Sequence, residues 1–202
     1  MKLEVPFHKQ TTRLNCGPTV LRMVLNYLEK DYDIETIEEA AETKEGKGVS
    51  TIKLAIGAIK LGFKTKFLSK TLTLDVSNLD ADFYKNYGDL NSVEESNKLF
   101  ENAKNLGVEL NEKTIELNEL LNYVTEESLP IVLLDWNVIK GIPQKGYLGH
   151  FVPVVGYTKD LILIHNPGLI DSEAFMELSF SLFDNARKSK GTDEDVLVIY
   201  RK

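Results

Sequence analysis

The sequence predicts an α+β fold in which a helical half packs against a sheet half, with a cleft between them. Three observations carry this. The first half shows helical apolar periodicity, the second half shows short strand-like runs joined by tight turns, and the two kinds of pattern are segregated along the chain. A length of 202 residues suits a single domain over 1–202, with an insertion or subdomain at about 70–113, where the patterning is weakest.

Taken in order, Leu3 to Phe7 alternates and suits an extended arm. After Pro18, the residues Val20, Leu21, Val24, Leu25 and Leu28 recur on one helical face, so this helix should pack into the core. Asp33 is an N-cap candidate for a second helix reaching Glu42, and Ser50 for a third that ends at Gly62. Phe63 to Leu68 alternates like a strand. Ser92 to Leu106 is helical with Gly107 as its stop, and Glu116 to Thr125 is a short helix broken by Pro130. Strands are expected over 131–134, 151–157, 161–165 and 196–200, with a helix over 178–188. Pro153 should mark an edge or a bend, because proline removes a ladder donor.

Composition removes several function classes. A net charge of −7 argues against a nucleic-acid partner, which needs clustered Lys and Arg. No apolar run approaches the ~20 residues that span a bilayer, and the N-terminus lacks a signal-peptide core, so a cytoplasmic protein with no membrane partner is expected. No Cys-x-x-Cys or His-Glu-x-x-His pair marks a metal site. The segment Gly46-Lys-Gly48 lacks the context of a phosphate cradle. No cofactor is expected.

The chemistry centres on Cys16, the only cysteine, at the mouth of the first helix. A lone cysteine is usually a small buried hydrophobe. A helix N-terminus, however, favours thiolate over thiol. A thiolate attacking an acyl carbon also needs a base, a group that orients the base, and donors for the developing oxyanion. His150 opens one predicted strand and Asn166 closes the next, so an antiparallel hairpin would set them side by side. Alternation puts His165 on the opposite face from Asn166, and the Asn166 oxygen could hold the imidazole in orientation. Asn166 also suits a plain Asn-Pro-Gly turn, and Asp171 is a distant substitute. His8 and His165 are read as structural or exposed. The loop Ile139 to Leu148, after Trp136 and including Tyr147, is a candidate cleft wall or a solvated hairpin loop.

The segments Val5-Pro6-Phe7 with Gln10, Cys16-Gly17-Pro18-Thr19, Gly149-His150, Val154 to Tyr157 and Asn166-Pro167-Gly168 together resemble the papain-like cysteine peptidase superfamily. The nearest branch is the double-glycine leader peptidase type that processes bacteriocin precursors, with its stand-alone relatives. The resemblance implies a papain-like fold with Cys16 as nucleophile, His150 as base and acid, and Asn166 as orienting residue. It also implies an oxyanion hole made by Gln10 and the backbone N–H of Cys16. Leader peptidases usually carry Asp before Pro-Gly, whereas this chain has Asn166, as papain does. An amide orients imidazole without adding charge.

The expected function is a thiol hydrolase that cleaves a peptide or small amide through an acyl-thioester on Cys16, paired as thiolate with a His150 imidazolium. A transpeptidase or acyltransferase would use the same thioester with an amine acceptor. A papain-like domain retained for binding is the non-enzymatic alternative.

Overall fold

A computed structural model describes all 202 residues. The first helix, α1 (Cys16–Leu28), buries Val20, Leu21, Val24, Leu25 and Leu28 as the periodicity requires, and Met23 as well. Full burial of each such side chain contributes about 1.5–3 kcal/mol. Helix α2 (Ile34–Ala40) is capped by Asp33, whose carboxylate accepts the Thr36 N–H at 2.7 Å.

Helix α3 (Thr51–Lys60) ends before Gly62, which has φ +90°. Its start corrects part of an expectation, because Ser50 takes the N-cap position but its side chain makes no capping bond. The Ser50 hydroxyl and N–H both donate to Asp89 (3.3 and 3.1 Å), and Asp89 pairs with Lys53 at 3.2 Å. Both charged side chains are almost wholly buried, and removing one partner of such a pair costs about 3–5 kcal/mol.

Strand β1 (Lys64–Ser69) is followed by a 3-10 turn (Val76–Asp80), α4 (Asp82–Tyr87), α5 (Val93–Leu106) and β2 (Glu109–Glu112). The Ser92 hydroxyl accepts from Glu95 N to start α5, and Gly107 ends it at φ +98°. Then come α6 (Leu117–Leu121), β3 (Ser128–Asp135), α7 (Trp136–Ile139), β4 (Gly149–Tyr157), β5 (Leu161–Asn166), β6 (Glu173–Ser179), α8 (Phe180–Arg187) and β7 (Val196–Tyr200).

The seven strands form one sheet in the order β2-β1-β7-β3-β4-β5-β6. The β1–β2 pair is parallel and the others antiparallel, so the sheet is mixed and draws two strands from the half read as helical. Helix α1 packs on β4 and touches β3 and β7, while α3 packs on β1 and β7. The helical layer thus lies across the middle strands, as an α+β architecture requires.

Three expectations are corrected here. Strand β3 begins at Ser128 and runs through Pro130, which pairs with Val198. Residues 173–179 form strand β6, so the helix expected from 178 starts at Phe180. For Pro153 the edge alternative is the one corrected, since it lies in an interior strand flanked by β3 and β5. It is tolerated because β4–β5 pairing starts at Val154 and shifts register before Gly156, where a regular ladder is already interrupted.

The N-terminal arm is held on that irregularity. Leu3 N donates to Val155 O at 2.9 Å, and Lys2 bridges to Gly156. A Cβ at Gly156 would stand 2.6 Å from the Met1 carbonyl oxygen, so only glycine lets the arm approach this closely.

Candidate active site

Cys16 is the first residue of α1, with Asn15 before it as N-cap. The first amides of a helix have no intrahelical acceptor, so the Cys16 N–H is free to serve a ligand. Gly17 is required by packing: a Cβ there would meet Val49 Cγ1 at 2.5 Å and Leu54 and Phe151 at 3.2 Å. This close contact presses the start of α1 onto β4, where Phe151 follows His150.

On the sheet, the β4–β5 hairpin does what its short turn implies. His150 Nε2 lies 2.9 Å from Asn166 Oδ1, and both residues are buried. The orientation of the Asn166 amide is fixed independently, because Oδ1 accepts the Gly168 N–H at 3.0 Å and Nδ2 donates to the Asp171 carbonyl. An oxygen facing His150 can only be met by Nε2–H, so the neutral ring keeps its lone pair on Nδ1. Asp171 is therefore a backbone partner of Asn166, and its carboxylate pairs with Lys140 at 3.2 Å. The Trp136 ring covers His150 at 4.4 Å between centroids.

His165 faces away from this group. Its Nε2 donates to the Val5 carbonyl at 2.9 Å and its Nδ1 accepts the Phe175 N–H at 3.0 Å, so it fastens the N-terminal arm to β5 and β6. His8 sits near Asn26 and Asp31 on the surface side of α1.

Gln10 follows the arm and is anchored by its N–H to the Pro167 carbonyl at 2.9 Å. Its amide nitrogen donates one hydrogen to Thr12 O at 2.8 Å, leaving the second available, while Oε1 is buried without a partner.

Burial sets the electrostatics. It pushes the Cys16 thiol up despite the backbone amides of Phe151, Gly17 and Cys16 itself. It pulls His150 down to about 4, only partly offset by the Asn166 hydrogen bond and the charge of Asp171. Burial thus favours the neutral thiol and the neutral imidazole over the expected thiolate–imidazolium pair. Desolvation outweighs the helix N-terminus, and Asn166 supplies no charge to hold an imidazolium.

Gln10, Cys16 and His150 line one cavity of about 700 Å³. Trp136 and Tyr147 both line it, as expected of cleft walls. Sequence reasoning did not single out Phe83, Tyr84 and Tyr87 of α4, nor Asp193 and Asp195 before β7. Tyr84 stacks on Tyr147 with centroids 5.3 Å apart, and Phe83 meets Tyr147 edge-on. The aromatic spacing 83, 84, 87 was the available signal, but six residues are too short for periodicity to register.

The model of the guanylylate cyclase family matches residues 5–199. The chain belongs to the guanylylate cyclase family. The chain is similar to "Guanylyl cyclase 1" of Arabidopsis thaliana, 26% identical over 214 residues, covering 98% of this chain and 76% of that protein. By structure, this guanylylate cyclase family chain is similar to a C39-like peptidase of Bacillus anthracis (TM-score 0.58, 13% identity, 100% and 98% of the two chains). It is also similar to the peptidase domain of Streptococcus ComA, a bi-functional ABC transporter involved in a quorum-sensing pathway (TM-score 0.53, 18% identity, 96% and 97%). A third similar structure is a double glycine motif protease from an AMS/PCAT transporter, in complex with the leader peptide (TM-score 0.54, 15% identity, 100% and 94%). The fold is that of papain-like cysteine peptidases, as the motif resemblance implies, while the family name was not foreshadowed by any motif. No helix is long and apolar enough to cross a membrane.

Proposed function

We propose that this protein is a cysteine-dependent amide hydrolase acting on a peptide or small amide. The observation that carries this reading is the fixed tautomer of His150: an Nε2–H given to Asn166 leaves Nδ1 unprotonated, on a residue that lines the same cavity as Cys16. Because both groups rest neutral, His150 takes the thiol proton as sulfur attacks the carbonyl carbon, in place of a preformed ion pair. The tetrahedral oxyanion would be met by the Cys16 N–H and the spare Gln10 amide hydrogen. His150 then returns the proton to the leaving amine, and water releases the acyl group from Cys16. An amine in place of water would make the same site an acyltransferase.

The family name and the Arabidopsis relative favour a second reading, cyclisation of GTP. The cavity charges suit a triphosphate poorly. Of the four carboxyls among its lining residues, Asp89 is paired with Lys53 and Asp171 with Lys140, which leaves Asp193 and Asp195 against Arg13 alone. Like charges cost rather than contribute at such a site. The test supplies a peptide-amide library and GTP in parallel to the wild type and to Cys16→Ala. Peptide cleavage that falls at least 10³-fold in Cys16→Ala is expected, in line with losses seen on removing a nucleophile. Cyclic GMP formation that persists in Cys16→Ala, with no peptide cleaved, would overturn the hydrolase.

A further inference from the structure

The cavity extends well past the reacting groups. Asp195 lies just before β7, and its carbonyl accepts the Leu133 N–H at 3.3 Å; Leu133 in turn pairs with Phe151. Two strand spacings, roughly 10 Å, therefore separate Asp195 from Phe151, the residue after His150, which is the reach of one residue with a long side chain. Between these ends the wall is apolar and aromatic, formed by Leu133, Phe67, Phe83, Phe100 and the stacked Tyr84 and Tyr147. Such a wall suits the aliphatic stem of a basic side chain better than a short polar one.

The far end is acidic and unneutralised. Asp89 and Asp171 have lysine partners, but Asp195 receives only hydroxyls, chiefly that of Thr51, and Asp193 receives the Asn78 amide. Asp195 retains surface open to the cavity although protein surrounds it, and burial lifts its carboxyl to about 7. A second polar group points the same way. The Ser96 hydroxyl on α5 is fully buried, lines the cavity and has no hydrogen-bond partner. Buried polar groups are normally satisfied, so an unpartnered one in a cavity wall marks where a ligand's polar atoms belong.

We propose that the inner end of this cavity is a pocket for a basic side chain of the substrate, an arginine or lysine whose charged head pairs with Asp195 and is supported by Ser96. The proposal rests on the peptidase reading for the identity of the substrate, and it specifies which peptides the site selects. A guanidinium delivered there brings the counter-charge the carboxyl lacks, so a proton leaves Asp195 as the basic peptide binds.

Binding to Cys16→Ala protein, read by calorimetry, tests this without turnover. The probes are two acetylated tripeptide amides that differ only in arginine against citrulline, which keeps the shape and removes the charge. At least tenfold tighter binding of the arginine peptide is expected, falling below about threefold in Cys16→Ala/Asp195→Asn and retained in Cys16→Ala/Asp195→Glu. Should Asp195→Asn fail to fold, Asp195→Thr takes its place. Equal binding of the two peptides, or a preference that survives loss of the carboxyl, overturns the pocket. Cleavage of peptides without preference for arginine defeats this inference alone, whereas selective binding with no cleavage in the wild type defeats the hydrolase and supports the pocket.

Discussion

At the scale of single residues, Asn166 decides how the site works. Its amide receives two N–H groups on one oxygen and gives a hydrogen to Asp171, so it orients His150 without charging it. Asn166→Asp would place a negative charge 2.9 Å from the imidazole and favour the protonated ring. The acid limb of the activity profile, set by a His150 held near 4, should then move up by about one to three pH units. A pH–rate series on the two proteins measures it, and an unmoved acid limb would mean that the base is another group. The His150–Asn166 contact was legible in the sequence, because strand alternation and a short turn fix who can neighbour whom, whereas Gln10 was singled out only by the motif resemblance. Their protonation states were not, since the helix N-terminus is visible in sequence and the depth of burial is not.

At the scale of elements, the position of α1 rests on the absence of a side chain at Gly17. A methyl group there must displace Val49, Leu54 or Phe151, all of which pack in the shared core. Gly17→Ala should destabilise the protein by about 1–3 kcal/mol, as overpacking does, and should lower kcat more than it raises KM by tilting the nucleophile. Urea melts with steady-state kinetics read both effects; unchanged stability would show that α1 is free to shift. Helix α5 was readable to within one residue, with Gly107 as its stop and Ser92 standing as its N-cap and not its first turn. Strand β6 was not, since it is an edge strand with little burial and Phe175 interrupts it at φ +55°. Ser50 resembled a cap locally, but a carboxylate 39 positions away claims its hydroxyl, and no local pattern can reveal that.

At the scale of the whole molecule, buried titrating groups tie stability to pH. His150 is held at about 4 when folded against an ordinary 6.5, so the unfolded chain binds a proton that the folded chain resists. Its contribution is complete above about 6.5 and is lost as pH falls toward 4. Asp195, raised to about 7, has the opposite sense: its contribution is present below its ordinary value of 3.8 and is lost as pH rises through 7. Thermal melts between pH 7 and pH 4 should therefore show a smaller loss for His150→Gln than for the wild type, and equal slopes would remove His150 as the cause. The mixed sheet joins both halves of the chain, so the reacting groups come from opposite ends of the sequence, 134 positions apart at Cys16 and His150. A short bis-electrophile that bridged those two side chains would act as a staple as well as an inhibitor. Closing so long a loop would withdraw about 5 kcal/mol of disorder from the denatured chain, and the inactivated protein would be the harder one to unfold.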